Sequence, residues 1–405
     1  MKIDKNGKCV EIIVSSDIFP MSCITKTMSD FIDECYITIE EKSKEEISVR
    51  LIPHKKTDLK ELGYEFNTRL VASFVESSQP EIPAYMGNII NKTIPNQIVP
   101  PAPKKGLRSF IVLTRECIND CLFCTEKPRI DWPDPTTEEV KEILTRDCKS
   151  FSHIVFSGGE PSLHRDICEL IEHAKKLGYD VTLFSNGRLF SNPEFTEKII
   201  KAGLDNILIP LHGYPLEIHD QITQRPGSFK QTILGINNLA SHNSIRVSVK
   251  VIPNKINYKI LPDLASFIVS LPHIHFIAMD MLCIAGNALK NKDIISTKLS
   301  NMMPYMEKAL DIWIMAGKRI NITSLPLCLI NKKYWKYMSN SRIKKEVTVG
   351  FNKSKESSIN YTGQVLTPVC ENCLLREKCP GTWPPYFKTY GDGELKPVIG
   401  PPHST

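Results

Sequence analysis

From Arg108 onward, short apolar runs alternate with amphipathic stretches, a pattern that predicts β-strands joined by helical crossovers. Phe110–Leu113, His153–Phe156, Val181–Phe184, Asn206–Pro210, Ile245–Val251 and Phe276–Leu282 predict six strands. Helices are predicted near Thr137–Thr145, Asp166–Leu177, Glu194–Ala202, Phe229–Leu239 and Leu261–Leu271, with Gly178 and Gly203 where helix C-caps belong. Parallel strands with helical crossovers define an α/β fold, here a partial (β/α)6 TIM-like barrel. The start of the chain reads differently. Val10–Ser15, Cys35–Glu40 and Glu46–Pro53 predict strands, and Met21–Asp30 and Asp58–Glu76 predict helices. In the second of these helices Leu59, Leu62, Phe66 and Leu70 recur at three- and four-residue spacing, which gives one apolar face. Residues 1–80 are therefore expected to form a small α+β domain, and six prolines between Pro80 and Pro103 mark a linker over 81–107. The barrel is assigned to 108–290 and a C-terminal extension to 291–405.

Composition narrows the class. With 405 residues and 41% hydrophobic content the chain can build ordinary globular cores. The opening Met1–Asn6 lacks the apolar core of a signal peptide, and no apolar run reaches the ~18 residues that span a bilayer. A cytoplasmic protein without membrane partners is predicted. The formal charge of +6 is spread among acidic residues, and the basic runs at His54–Lys56 and Arg342–Lys345 are short, which argues against a nucleic-acid partner. Thirteen cysteines in a long chain of this kind point to reduced, metal-binding thiols rather than disulfides.

Cys117, Cys121 and Cys124 form a C-x3-C-x2-C triplet just past the first barrel strand, with Phe123 before the last cysteine. Three thiolates can hold a 4Fe-4S cluster and leave one iron without a protein ligand. That iron can chelate the amino and carboxylate groups of S-adenosylmethionine (SAM), whose reductive cleavage yields a 5'-deoxyadenosyl radical. A zinc site would want a fourth ligand, and no Cys or His pair follows closely. Gly158-Gly159-Glu160-Pro161 follows the second strand and Ser185-Asn186-Gly187 the third, so both belong on the same rim of the barrel. The glycines would allow close backbone approach to a ligand, Glu160 could accept a hydrogen bond from the ligand's ammonium, and Ser185 and Asn186 suit ribose hydroxyls or a carboxylate. His212, His219 and Cys283 are candidates for catalysis, each with a structural role as the competing explanation. In the C-terminal extension Cys370, Cys373 and Cys379 have ligand spacing, and Cys328 would complete four thiolates. A second, auxiliary 4Fe-4S cluster or a structural zinc ion both satisfy that set.

The cysteine loop, the GGEP motif and the Ser-Asn-Gly turn resemble the radical SAM superfamily over about Arg108 to Gly286. The C-terminal cysteines resemble its SPASM or shorter twitch extension, although Trp383 stands near where the full pattern has another cysteine. Ala285-Gly286-Asn287-Ala288 through Asn291, Ile320–Ile322, Cys328, Trp335 and the Cys370 group resemble the His-Xaa-Ser system maturase. The strand Glu11–Val14, Phe31–Ile39 and the helix bearing Glu65–Leu70 resemble that system's small partner protein. The resemblance implies modification of a ribosomally made precursor peptide or protein, with a flavodoxin or ferredoxin as electron donor. A radical SAM enzyme for a small molecule or tRNA base, and a silent iron-sulfur scaffold or electron-transfer protein, are the alternatives.

Overall fold

A computed structural model of the chain describes residues 2–4, 7–16, 19–43, 46–77, 107–126, 134–339, 347–350, 357–358 and 363–399. Apart from Leu107, the linker expected at 81–107 lies outside them. The chain divides into two compact units, Met1–Val99 with Ser266–Pro272, and Pro100–Ala265 with His273–Thr405.

In the first unit, β1 (Lys2–Ile3), β2 (Val10–Ser15), β3 (Cys35–Glu41) and β4 (Glu46–Pro53) pair antiparallel in the order β1-β2-β4-β3. The alternation in β2 buries Val10, Ile12 and Val14 on one side. Against that apolar face lie α1 (Met21–Ser29) and α2 (Leu59–Ser77), and the periodic Leu62, Phe66 and Leu70 are all buried. Phe31 and Phe66 meet with ring centroids 5.5 Å apart, and Arg69 lies over Phe31.

The second unit is built on a nine-stranded sheet. Its strands are β5 (Leu107–Thr114), β6 (Phe151–Gly158), β7 (Asp180–Phe184), β8 (Asn206–Pro210), β9 (Arg246–Val251), β10 (Ile274–Asp280), β11 (Ile320–Thr323), β12 (Val347–Gly350) and β13 (Ser357–Ser358), in the order β11-β10-β9-β8-β7-β6-β5-β12-β13. From β5 to β11 each strand pairs parallel with its predecessor, as successive crossovers require. The connections carry α3 (Thr137–Asp147), α4 (Ile167–Lys176), α5 (Pro193–Ala202), α6 (Leu216–Thr223), α7 (Ser228–Ala240), α8 (Leu261–Ser270), α9 (Asn287–Lys290), α10 (Lys292–Ile295) and α11 (Leu299–Met315); α12 (Pro384–Tyr390) closes the chain. All six predicted strands are present. The sheet continues one strand further than expected, through β11, and its first strand gains β12 as a parallel neighbour. Four-residue strands carry too few alternations to stand out from loop sequence.

Local signals agree with these elements. Thr136 and Glu139 form a capping box at the start of α3, and Gly203 ends α5 with φ +97°. Strand alternation sends Ile207 and Ile209 of β8, and Val247, Val249 and Val251 of β9, to the buried outer face. On the opposite face Phe110 of β5 and Phe184 of β7 touch edge to face at 5.8 Å although β6 lies between them, so the sheet curves inward there. At the strand starts the inner face is closed by polar side chains: Arg246 is paired to Asp180 at 3.0 Å, both bond Asn206, and His153 meets Thr182 at 2.7 Å. The strand ends carry the motifs.

Candidate active site

β5 ends at Thr114 and leads directly into the loop holding Cys117, Cys121 and Cys124. Outside a helix or strand, loop backbone groups must find partners elsewhere. Asp120 and Leu122 donate their N–H groups to the carbonyls of Thr223 and Ile222 at 2.9 and 3.0 Å, at the end of α6. Arg188 donates to the Ile118 carbonyl and to Asn119 Oδ1, both at 2.8 Å, and Arg225 reaches the Ile118 carbonyl at 3.2 Å. On the other side Asn287 donates its N–H to the Cys124 carbonyl at 2.8 Å and its amide to the Cys121 carbonyl at 3.3 Å, while Asn291 takes the Leu122 carbonyl at 3.0 Å.

The Cys117 sulfur accepts the Asn119 N–H at 3.4 Å and the Asn186 side-chain amide at 3.8 Å. Burial, and then the charges of the other two cysteines, push the Cys121 thiol well up. Three sulfurs within electrostatic reach of one another, with N–H donors aimed at one of them, fit a metal-thiolate cluster, which releases the thiol protons as it binds.

Gly158 and Gly159 have a use within the protein. A Cβ on Gly159 would sit 2.3 Å from the Glu116 carbonyl oxygen and 2.6 Å from that of Arg115, and one on Gly158, where φ is +129°, would sit 2.2 Å from that of Thr114. This close approach allows Gly159 and Glu160 to donate their N–H groups to the Thr114 and Glu116 carbonyls at 2.7 Å each. The base of the cysteine loop is thereby locked to the tip of β6. Glu160, expected to reach a ligand, is fully buried; Oε1 accepts from the Ser162 N–H and hydroxyl and from Ser185 Oγ, and Oε2 accepts the Asn186 N–H at 2.6 Å. Burial raises its carboxyl above the ordinary range although these hydrogen bonds oppose the shift. Pro161, also buried, starts a short 3-10 turn that aims Ser162 back at Glu160. Ser185 is doubly used, donating to Glu160 and accepting from the Gly187 N–H, and Asn186 Oδ1 accepts from the Arg188 N–H at 3.0 Å. The side chains of Glu160, Ser185 and Asn186 thus brace one another and the cysteine loop.

His212 follows β8, and its ring lies edge to face with Phe123 at 4.8 Å and stacked near His219 at 5.9 Å. Both histidines are buried, the His212 N–H donates to His219 Nδ1 at 3.2 Å, and His212 Nδ1 and His219 Nε2 have no hydrogen-bond partner. Burial drives His212 well below its usual range and His219 down to about 4, so both are neutral at pH 7. Cys283 is half-buried three residues beyond β10. A network that the sequence pattern did not signal spans the ends of β9, β10 and β11: Lys250 pairs with Asp280 at 2.5 Å, and Thr323 bonds the same carboxylate. Burial would raise the Asp280 carboxyl, but the Lys250 ammonium and the two hydrogen bonds hold it below its ordinary range.

In the C-terminal extension Cys328, Cys370, Cys373 and Cys379 line one cavity whose other walls include Leu327, Leu366, Leu375 and Phe387. The Leu327 N–H points at the Cys379 sulfur and the Lys396 N–H at that of Cys328, each at 3.4 Å. Among the described residues no three Cys, His, Asp or Glu side chains converge as they would on a single metal ion. Four sulfurs lining one apolar cavity, two of them with N–H donors, nonetheless suit a thiolate-bound metal centre, an iron-sulfur cluster or a zinc ion. The indole of Trp383 donates to the Met281 carbonyl at 3.2 Å, tying this extension to the end of β10.

Residues 111–268 match the family model of the radical SAM superfamily. Over that segment the chain is similar to a radical SAM domain. It is 32% identical over 168 residues to a probable GTP 3',8-cyclase of Methanocaldococcus jannaschii, covering 40% of this chain and 55% of that one. It spans between about a third and two thirds of the length of the curated relatives it matches. Among solved structures, SuiB of Streptococcus suis bound to precursor peptide SuiA superposes with a TM-score of 0.54 at 12% identity, over 85% of this chain and 92% of that one. The enzyme anSMEcpe with bound AdoMet and Cp18Cys peptide gives 0.51 at 12% identity, over 72% and 93%. Likeness at such identity establishes the shared fold. No helix among the described residues is long and apolar enough to cross a membrane.

Proposed function

We propose that this chain is a radical SAM enzyme that modifies a ribosomally synthesised peptide or protein, the peptide maturase of its system. The observation that carries it is the pairing of two cysteine sites in one unit: the braced Cys117, Cys121, Cys124 loop at the strand ends and the four-sulfur cavity in the extension. When bound at the first site, a 4Fe-4S cluster and SAM supply a 5'-deoxyadenosyl radical. Cys117, Cys121 and Cys124 would hold the cluster; Gly158, Gly159, Glu160 and Pro161 hold the loop against β6, and Ser185 and Asn186 fix it from β7. The Phe123 ring, backed by buried neutral histidines, keeps that side of the site apolar and free of a titrating group. Cys328, Cys370, Cys373 and Cys379 would hold the auxiliary cluster. The N-terminal α+β unit offers its edge strand β3 for recruiting an extended peptide by strand addition.

Support for a peptide substrate comes from two chains of like fold whose structures contain peptides. The sequence relationship to a probable GTP cyclase favours a nucleotide substrate as the second reading. Anaerobic reconstitution with reductant and SAM is expected to give 5'-deoxyadenosine, and iron counts of about eight per chain are expected to fall to about four in Cys370→Ala, Cys373→Ala. Product formation should rise with a precursor peptide encoded nearby, whose mass changes. A rise with GTP and none with the peptide would move the function to the second reading, and about four irons plus zinc would remove the auxiliary cluster.

A further inference from the structure

Arg188 follows the Ser-Asn-Gly turn and carries no assigned role. Its guanidinium is half-buried and binds three partners at once: the Ile118 carbonyl, Asn119 Oδ1 and, through Nε at 2.7 Å, Gln231 of α7. Two of these belong to the residues directly after Cys117 in the loop. Asn119 donates its own N–H to the Cys117 sulfur, and Asn186, whose Oδ1 is held by the Arg188 N–H, donates its amide to that sulfur. The guanidinium therefore holds the residue that carries one N–H donor of Cys117, the Arg188 backbone N–H holds the other donor's side chain, and a permanent positive charge lies within electrostatic reach of Cys117. A planar fork is needed to reach partners in three directions, and lysine lacks that geometry.

Resting on the reading of the three cysteines as cluster ligands, we propose that Arg188 is a positioning residue that holds Cys117 in its ligating geometry and sets the reduction potential of the cluster. Reduction adds one negative charge to an already anionic group of thiolates. A half-buried cation beside it favours the reduced form and is screened less by salt than an exposed one. Arg225 reaches the same Ile118 carbonyl from the surface, at 3.2 Å and exposed to solvent, so it contributes less of this field.

The test compares Arg188→Lys and Arg188→Gln with the full wild-type chain, following the cluster signal that disappears in Cys121→Ala. In Arg188→Gln the midpoint is expected to fall by about 59 mV, a tenfold loss in the reduction equilibrium for one electron. Arg188→Lys keeps the charge and should stay within about threefold of wild type, while both variants lose iron to EDTA faster. In metal-free protein, hydrogen exchange at residues 117–124 should rise in both variants, a readout that survives any failure to load iron. Equal midpoints in the two variants, a larger fall in Arg188→Lys, or no change in either would overturn the electrostatic role, and unchanged exchange would overturn the positioning role. If wild type shows no signal that Cys121→Ala removes, the cluster reading fails and the exchange result alone judges Arg188.

Discussion

Gly159 shows how little room this site leaves. Its missing side chain is where the Arg115 and Glu116 carbonyls come to rest, so an added methyl group must push back the base of the cysteine loop. Gly159→Ala is expected to cost about 2–3 kcal/mol, as substitutions that force backbone apart do, and to lower iron from about eight to about four per chain. Urea unfolding and iron analysis check the two effects together; full iron in the variant would contradict the close-approach role. The motif residues were legible because each set is contiguous in sequence. Their bracing was not: Glu160, expected to accept a hydrogen bond from a ligand, also accepts from Ser162, Ser185 and Asn186, since a buried carboxylate needs partners for its acceptors. Arg188 gave no signal, and Asn287 and Asn291 entered only as part of a resemblance with no hint of their contacts, because the cysteine-loop partners of all three lie 69 to 169 residues away along the chain.

At the scale of elements, the end of β8 and the helix α6 are joined by the His212–His219 pair. Both histidines are held neutral by burial, and their folded pKa values lie below the unfolded value of about 6.5. The unfolded chain therefore binds more protons below that pH. Their contribution to stability is complete above about 6.5 and is lost as pH falls toward 4, at about 1.4 kcal/mol per pH unit for each histidine. Unfolding free energies measured between pH 7 and pH 4.5 should fall with that slope, and His219→Leu should make the dependence shallower. A variant with the wild-type slope would show that His219 is not the titrating group. The elements themselves were largely readable: the six barrel strands and their crossover helices follow from hydrophobic period and from glycine and proline punctuation. β11 and β12 were not, because short strands depend on their neighbours in the sheet for definition.

For the whole molecule, the proposed recruiting role of the first unit makes a separable claim. Removing residues 1–79 is expected to leave iron content and SAM cleavage within about twofold while lowering peptide turnover at least tenfold, since edge-strand binding adds affinity and not chemistry. Parallel assays of 5'-deoxyadenosine and modified peptide decide this, and equal loss of both would end the recruitment idea. By itself the sequence determined the class of the fold, the spacing of the cysteine groups and the order of motifs along the chain, because periodicity and residue spacing are local properties. Only the tertiary structure decided that Cys328 shares a cavity with the Cys370 group, that GGEP and Ser-Asn-Gly brace each other, and that Arg188 and two asparagines hold the cysteine loop. Those relations join residues far apart in the chain, and hydrophobic pattern carries no record of which distant donor satisfies which buried acceptor.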